Sequence, residues 1–290
     1  MSRPSFVASV VLAIAGALAG SPVHAQQFPA RPLRLVVPFA PGGSTDVLAR
    51  IVGQRLAENV NQPVVIDNRT GAGGTIGSDL VAKAPPDGHT LLIGSIATMA
   101  IAKAMYSKLP YEPLRDFAHI NLWVTFPLAL VVPAASPFGT TQDLIAAARA
   151  KPASLRFAAQ GIGTSSHAFV ELMNTMARLK IIVVPYKGGA PALNGVLAGE
   201  VDYALIAVST ALAQVGAGKI RALGVTSAKS VASLPNVPPI AAALPGYEAL
   251  NFHGLHAPAK TPPATVARLH AETARVLQRA DVVKQLNGLA

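Results

Sequence analysis

The chain has 290 residues, 51% of them hydrophobic, with 24 lysine and arginine against 14 aspartate and glutamate and no cysteine. The missing cysteine excludes disulfide stapling and attachment through a lipidated cysteine, so stability must come from core burial. A formal charge of +10 invites a nucleic-acid reading, but the basic residues are scattered singly and aromatics are only 5%, so the charge serves solubility or attraction of an anionic ligand.

Residues 1–25 read as a leader rather than as fold. Arg3 supplies a positive start, residues 6–18 a short apolar stretch, and Val23-His24-Ala25 a tolerated cleavage site, the pattern of a secretory signal peptide cut after Ala25. The apolar stretch is shorter than the about 20 residues a membrane span needs. Removing 25 of 290 residues leaves 265, a length suited to one large domain or two ordinary ones.

The mature part repeats one unit: apolar strand, Gly/Ser-rich turn, amphipathic helix. Leu33, Leu35, Val36 and Val37 form a strand-length run, and Val47, Leu48, Ile51, Val52 and Leu56 recur at helical spacing. Between them lies Pro38-Phe39-Ala40-Pro41-Gly42-Gly43-Ser44-Thr45-Asp46, which reads as a ligand-holding turn. Two glycines admit close approach of the backbone, and Ser44 is expected to accept a bond from first-turn N–H groups. The free N–H donors and the positive helix end then form an anion cradle. The unit recurs at 64–81, through Gly71-Ala72-Gly73-Gly74, and at 91–105, through Gly94-Ser95-Ile96-Ala97-Thr98. Strands alternating with helices at this pace predict parallel α/β sheets.

Lys108-Leu109-Pro110-Tyr111-Glu112-Pro113 interrupts the series with prolines that forbid a continuing helix. A strand at 128–132 follows, and the unit resumes at 155–159 into Gly161-Ile162-Gly163-Thr164-Ser165-Ser166, at 181–184 into Lys187-Gly188-Gly189, and at 203–206 into Ser209-Thr210. Two runs separated by a crossing predict two lobes: residues 26–125, residues 126–249, and a return of 250–290 to the first lobe, with a helix over 263–279. Ligands of open parallel sheets sit beyond the carboxyl ends of the strands, where these turns lie.

Named chemical motifs fail. Neither Gly71-Ala72-Gly73-Gly74-Thr75-Ile76 nor Gly161-Ile162-Gly163-Thr164-Ser165-Ser166 carries the last glycine of the dinucleotide fingerprint, and Gly216-Ala217-Gly218-Lys219 lacks the spacing of a phosphate loop. His167 and Glu171 share a helix face at four-residue spacing, an arrangement more common in structural contacts than in acid/base or metal chemistry. His253 and His256 are expected on opposite faces of a strand, which argues against a shared metal. Ser166 beside His167 is no catalytic triad, and Gly-x-Ser-x-Gly is absent. Ser165, Ser166 and His167 are instead expected to offer hydroxyl and imidazole bonds to a ligand. No catalytic, metal or cofactor site is expected.

Longer stretches carry a resemblance. Arg31-Pro32, Val37-Pro38-Phe39 with Pro41-Gly42-Gly43-Ser44-Thr45-Asp46, Asn68-Arg69 with Gly71-Ala72-Gly73-Gly74, Pro86-Asp87-Gly88-His89-Thr90, Val184-Pro185-Tyr186-Lys187-Gly188, Gly199-Glu200-Val201-Asp202 and Leu234-Pro235-Asn236-Val237-Pro238 together resemble the substrate-binding proteins of tripartite tricarboxylate transporters, the Bug/TctC family. The resemblance spans nearly the whole mature chain. It implies a monomeric periplasmic binding protein of the type II-like kind: two α/β lobes, each a mainly parallel sheet flanked by helices, closing on a small carboxylate-bearing molecule and passing it to two membrane subunits of the transporter.

Carried over by position, the resemblance points to Phe39, Gly42, Gly43, Ser44, Asp46, Ala72, Gly73, Ser95 and Thr98 in the first lobe. In the second it points to Gly163, Thr164, Ser165, Ser166 and His167, and more weakly to Lys187 and Gly188. Two departures stand out: Ile206-Ala207 replaces the Phe-Asp common in relatives, so a polar contact is expected to be missing there. Relatives also continue past the position of Ala290; if Ala290 is the true terminus, the first lobe is expected to lose a packing helix and expose its apolar seat, at a cost of several kcal/mol where single leucine losses cost about 2–5. The alternatives are a ligand sensor that presents its bound solute to a sensor kinase, and a periplasmic hydrolase using Ser166 or His167.

Overall fold

The computed structural model describes residues 28–287; the signal-peptide reading lies outside them. Two five-stranded sheets form the two lobes. In chain order the elements are β1 (Leu33–Val37), α1 (Ser44–Val60), β2 (Val64–Asn68), α2 (Thr75–Ala82), β3 (Thr90–Ser95), α3 (Ala102–Met105), β4 (Phe117–Phe126), β5 (Leu128–Pro133), α4 (Thr141–Ala150), β6 (Arg156–Ala159), α5 (Ser165–Ala177), β7 (Ile182–Pro185), α6 (Gly189–Leu197), β8 (Tyr203–Ala207), α7 (Val208–Gly216), β9 (Ile220–Val225), β10 (Asn251–Pro258), α8 (Pro263–Leu277) and α9 (Ala280–Asn287). A 3-10 turn, Ala72–Gly74, precedes α2, and a π-helical turn, Ala97–Ile101, leads into α3.

The first sheet has the order β2-β1-β3-β10-β4 and the second β7-β6-β8-β5-β9. Each is mixed: the first three strands pair in parallel, and the fourth, β10 or β5, runs antiparallel to both neighbours. The mainly parallel expectation therefore holds for four strands of each sheet and misses the fifth. The reversed strands are the two reached by crossing between lobes, where no βα connection sets the direction. In both lobes they occupy equivalent places.

Both faces of each sheet are covered, which is why the parallel strands read as near-continuous apolar runs. In the first lobe Leu33, Leu35 and Val37 pack with Leu48, Val52 and Leu56 of α1, Leu269 and Val276 of α8, and Val282 and Leu286 of α9. Val36 and Leu92 face the other way, toward Val81 of α2 and toward Tyr111 and Phe117. In the second lobe Phe157 and Leu205 pack under Leu144 of α4 and Phe169, Val170 and Met173 of α5, while Ala158, Ala204 and Ile206 meet Leu193 and Val196 of α6 and Ala211 of α7. Each fully buried leucine or valine contributes roughly 1.5–3 kcal/mol. Pro263 opens α8 at its first turn, where a missing N–H is harmless.

The chain crosses between sheets at Pro127 and again at 249–251. Thr226 ties both crossings to the second lobe. Its hydroxyl accepts the Leu128 N–H at 2.9 Å, its own N–H donates to the Leu128 carbonyl at 2.9 Å, and its carbonyl accepts the Ala249 N–H at 2.8 Å. Val124 packs against the cores of both lobes. Among the described residues no helix is long and apolar enough to cross a membrane.

Candidate ligand cleft

The β1–α1 turn is built around Asp46. Gly43, extended at φ −76 and ψ 165, begins α1 without a side-chain cap, so the expected capping by Ser44 does not occur; Ser44 is the first helical residue and is exposed. The carboxylate three residues into the helix does the local work. Asp46 accepts the Gly42 N–H at 2.9 Å, the Asn68 amide at 3.0 Å and the Arg50 guanidinium at 2.9 and 3.1 Å. Asn68 also donates to the Phe39 carbonyl at 3.0 Å. Burial alone would raise the Asp46 carboxyl, but its bonds to Arg50, Gly42 and Asn68 outweigh that and hold it below the ordinary carboxylate range.

Asp46 is 2% exposed, and both oxygens are spent on the turn. Within the fold it therefore shapes the cradle. The first-turn N–H groups of Ser44 and Thr45 lie at the positive helix end, where backbone geometry leaves donors without intrahelical acceptors.

The other first-lobe candidates stand around this turn. Gly71, Ala72, Gly73 and Gly74 all have positive φ, and the Gly74 N–H closes the loop on the Gly71 carbonyl at 2.9 Å. Phe39 Cζ and Thr98 Cγ2 both come within 3.2 Å of the point where a Cβ on Gly74 would stand, so Phe39, Thr98 and the 71–74 loop adjoin. Thr98 is wholly buried, and its hydroxyl accepts the Ser95 N–H at 3.0 Å, so it supports the turn from behind. The Ser95 hydroxyl is buried and unpartnered.

In the second lobe the turn before α5 has the same design with different parts. Ser166 is fully buried, and its hydroxyl accepts the Gln160 N–H at 2.9 Å and lies 3.2 Å from the Thr164 hydroxyl. Thr164 donates to the Gly161 carbonyl at 2.8 Å. Ser165 accepts the Asn251 amide at 3.0 Å, which joins this turn to the crossing segment. His167 Nδ1 accepts the Gly163 N–H at 3.4 Å, a bond that leaves the proton of the neutral ring on Nε2. Thus Ser165 and Ser166 help hold the turn in shape, as acceptors from Asn251 and from the Gln160 N–H. The α5 N-terminus has no side-chain cap, so the first-turn N–H groups of Ser165, Ser166 and His167 stand at the positive helix end.

The two turns meet. A Cβ on Gly73 would lie 3.7 Å from the Ile162 carbonyl, which places the 71–74 loop of one lobe against the 161–163 loop of the other. Gly188 begins α6, its N–H on the Gln160 carbonyl at 3.0 Å, and Lys187 is exposed beside it. Ala207 ends β8 and leads straight into α7 without a side-chain cap. Asn68, Asn251 and Gln160 were absent from the sequence-derived site; Asn68 sits within the Asn68-Arg69 motif, and only its partners reveal its role.

The Ser166 hydroxyl bonds to Gln160 and Thr164 rather than to His167, and His167 Nε2 stands 3.9 Å from Glu171. His253 and His256 do lie on opposite faces: His253 is 3.4 Å from the Thr45 hydroxyl, and His256 is 2.9 Å from His119. Among the described residues no group of three metal-ligating side chains occurs.

Two lobes joined by two crossings, with the glycine-rich 71–74 loop of one against the 161–163 loop of the other, define a two-lobed solute-binding protein. The family model described as "Tripartite tricarboxylate transporter family receptor" (TctC) matches residues 48–289. A protein from the tcbD-tcbE intergenic region of Pseudomonas sp. strain P51 is 44% identical over 97% of this chain and 84% of its own length. BugT of Bordetella pertussis is 35% identical over 98% and 87%. Among solved structures, MatC of Rhodopseudomonas palustris with bound malate superposes with a TM-score of 0.84 at 35% identity, covering 90% of each chain. An R. palustris protein with adipate gives 0.84 at 36% identity, covering 91% of this chain and 88% of that one. The chain belongs to the tripartite tricarboxylate transporter receptor family, whose members are periplasmic solute-binding proteins.

Proposed function

We propose that this chain captures a small carboxylate-bearing molecule between its lobes in the periplasm and delivers it, as a monomer, to the membrane subunits of a tripartite transporter. One observation carries the reading: the 71–74 loop, which adjoins the β1–α1 turn through Phe39, meets the 161–163 loop ahead of the uncapped N-terminus of α5 across the gap, at Gly73 and Ile162. A carboxylate placed there would accept N–H bonds from both lobes, and charge-assisted bonds of this kind are about twice as strong as neutral ones. Binding both turns at once favours the closed form by differential affinity. The malate and adipate held by the two R. palustris relatives support the ligand class. On this reading the N–H donors are the backbone of Gly43, Ser44, Ala72, Gly73, Ser165, Ser166 and His167, with Gly42, Gly163 and Thr164 shaping the turns, Phe39 and the Ser95 hydroxyl at the wall and Lys187 and Gly188 at the rim.

Differential scanning fluorimetry with mono-, di- and tricarboxylates, amino acids and aromatic acids tests this. At a hundred times Kd a true ligand adds about 2.7 kcal/mol, a melting shift of roughly 5–10 °C for a chain of this size. A cooperative melt that no member of the panel moves would count against the reading.

A further inference from the structure

Tyr106 lies outside the ligand set read from the sequence, yet its phenol is placed between the two ligand turns. It ends α3, its N–H on the Ala102 carbonyl at 3.0 Å. The π-helical turn beneath it is pinned by Tyr111, whose hydroxyl donates to the Thr98 carbonyl at 2.8 Å. Such a turn re-aims the side chains that follow it and is frequent near functional sites.

From this support the Tyr106 Oη comes within 3.1 Å of the point where a Cβ on Gly73 would stand and within 3.7 Å of the same point on Gly163, with ring carbon Cε2 at 4.0 Å from both. Gly73 belongs to the first lobe and Gly163 to the second. Both have positive φ, 66° and 79°, so the turns and the absent side chains together make the slot that the ring occupies. An alanine at Gly73 would combine a left-handed backbone with a tight 3.1 Å contact on the half-buried Tyr106 hydroxyl. The contact with Gly163 exists only while the lobes stand this close, and the hydroxyl stands beside turns that carry free N–H groups.

We propose that Tyr106 is a ligand-reading latch: its ring holds the two turns at their closed separation, and its hydroxyl contacts the polar end of a carboxylate bound between them. The second half rests on the function proposed above; the first does not. Because the chain has no cysteine, cysteines introduced at exposed Val65 on β2 and exposed Ile182 on β7 accept spin labels without competition, and the distance between them reports lobe separation.

In the ligand-free protein, Tyr106→Ala shifts this distance distribution to longer values and Tyr106→Phe leaves it as in the wild type. In titrations with malate and adipate, Tyr106→Phe weakens whichever acid the wild type binds by about five- to tenfold, the worth of one hydrogen bond. Tyr106→Ala weakens it further, mainly through faster dissociation. An unchanged distance distribution in Tyr106→Ala overturns the latch, and unchanged affinity in Tyr106→Phe overturns the hydroxyl contact. If the wild type takes neither acid, the ligand class proposed above loses its support, while the ligand-free distances still decide the latch.

Discussion

Asp46 shows how one buried carboxylate can shape a turn. Its oxygens gather the Gly42 N–H, the Asn68 amide and the Arg50 guanidinium, so three chain segments hold the first cradle in register. Asp46→Asn keeps the size and removes the charge; it should cost about 1–3 kcal/mol of stability and weaken carboxylate binding several-fold, measured by denaturant titration and calorimetry. Because the folded-state value lies below the ordinary 3.8, the carboxylate's contribution is fully present above about pH 4 and is lost as pH falls through the folded value. The Gly42-Gly43-Ser44 turn was legible in the sequence because a strand, paired glycines and an amphipathic helix stand in order. Asp46's role was not, because its partner Asn68 lies 22 residues away and only the β1–β2 pairing brings the two together.

Among the elements, β10 carries two buried histidines on opposite faces. Burial lowers His253 to about 4 and, with the charge of His119 adding to the effect, lowers His256 to about 3. Both are therefore neutral in the fold and ready to take protons once unfolded. Their contribution to stability is fully present above about pH 6.5 and is lost progressively as pH falls toward those folded values. Melting temperature should accordingly drop between pH 7 and pH 5, and a His253→Asn/His256→Asn variant, less stable at neutral pH, should show a shallower slope over that range.

The neighbouring strands mark where sequence reading failed: β4 and β9 were not predicted. Both pair with the reversed strand of their sheet through a register shift, between His253 and Gly254 and between Leu255 and His256 for β4, and between Leu130 and Val131 for β9. Bulges of this kind break the two-residue alternation that announces a strand; along β4 every third residue is buried instead. The parallel strands, buried on both faces, kept their apolar runs and were plain to read.

At the scale of the molecule, closing on a ligand requires crossings that bend without coming apart, and Thr226 is the residue that binds them together. Thr226→Val matches the shape but leaves the buried Leu128 N–H without its acceptor, at a cost of about 1–3 kcal/mol. Amide exchange at Leu128 should speed up accordingly, while exchange in the strands of the first sheet stays nearer the wild-type rate. An unaltered Leu128 exchange rate would show that the crossing is held by other contacts. The two-lobe division was visible in the order of strand-turn-helix units. The joint was not, because Thr226, Leu128 and Ala249 are far apart in sequence and lie in no motif.

In the proposed function the backbone N–H groups of turns from both lobes clamp one carboxylate between them. Isothermal titration of the mature chain with the carboxylate panel, beside the Asp46→Asn variant, tests it most directly. The predicted result is one saturable site per chain for at least one carboxylate, weakened several-fold in the variant. A folded protein that binds none of them, or binds one equally well with and without the Asp46 charge, would contradict it.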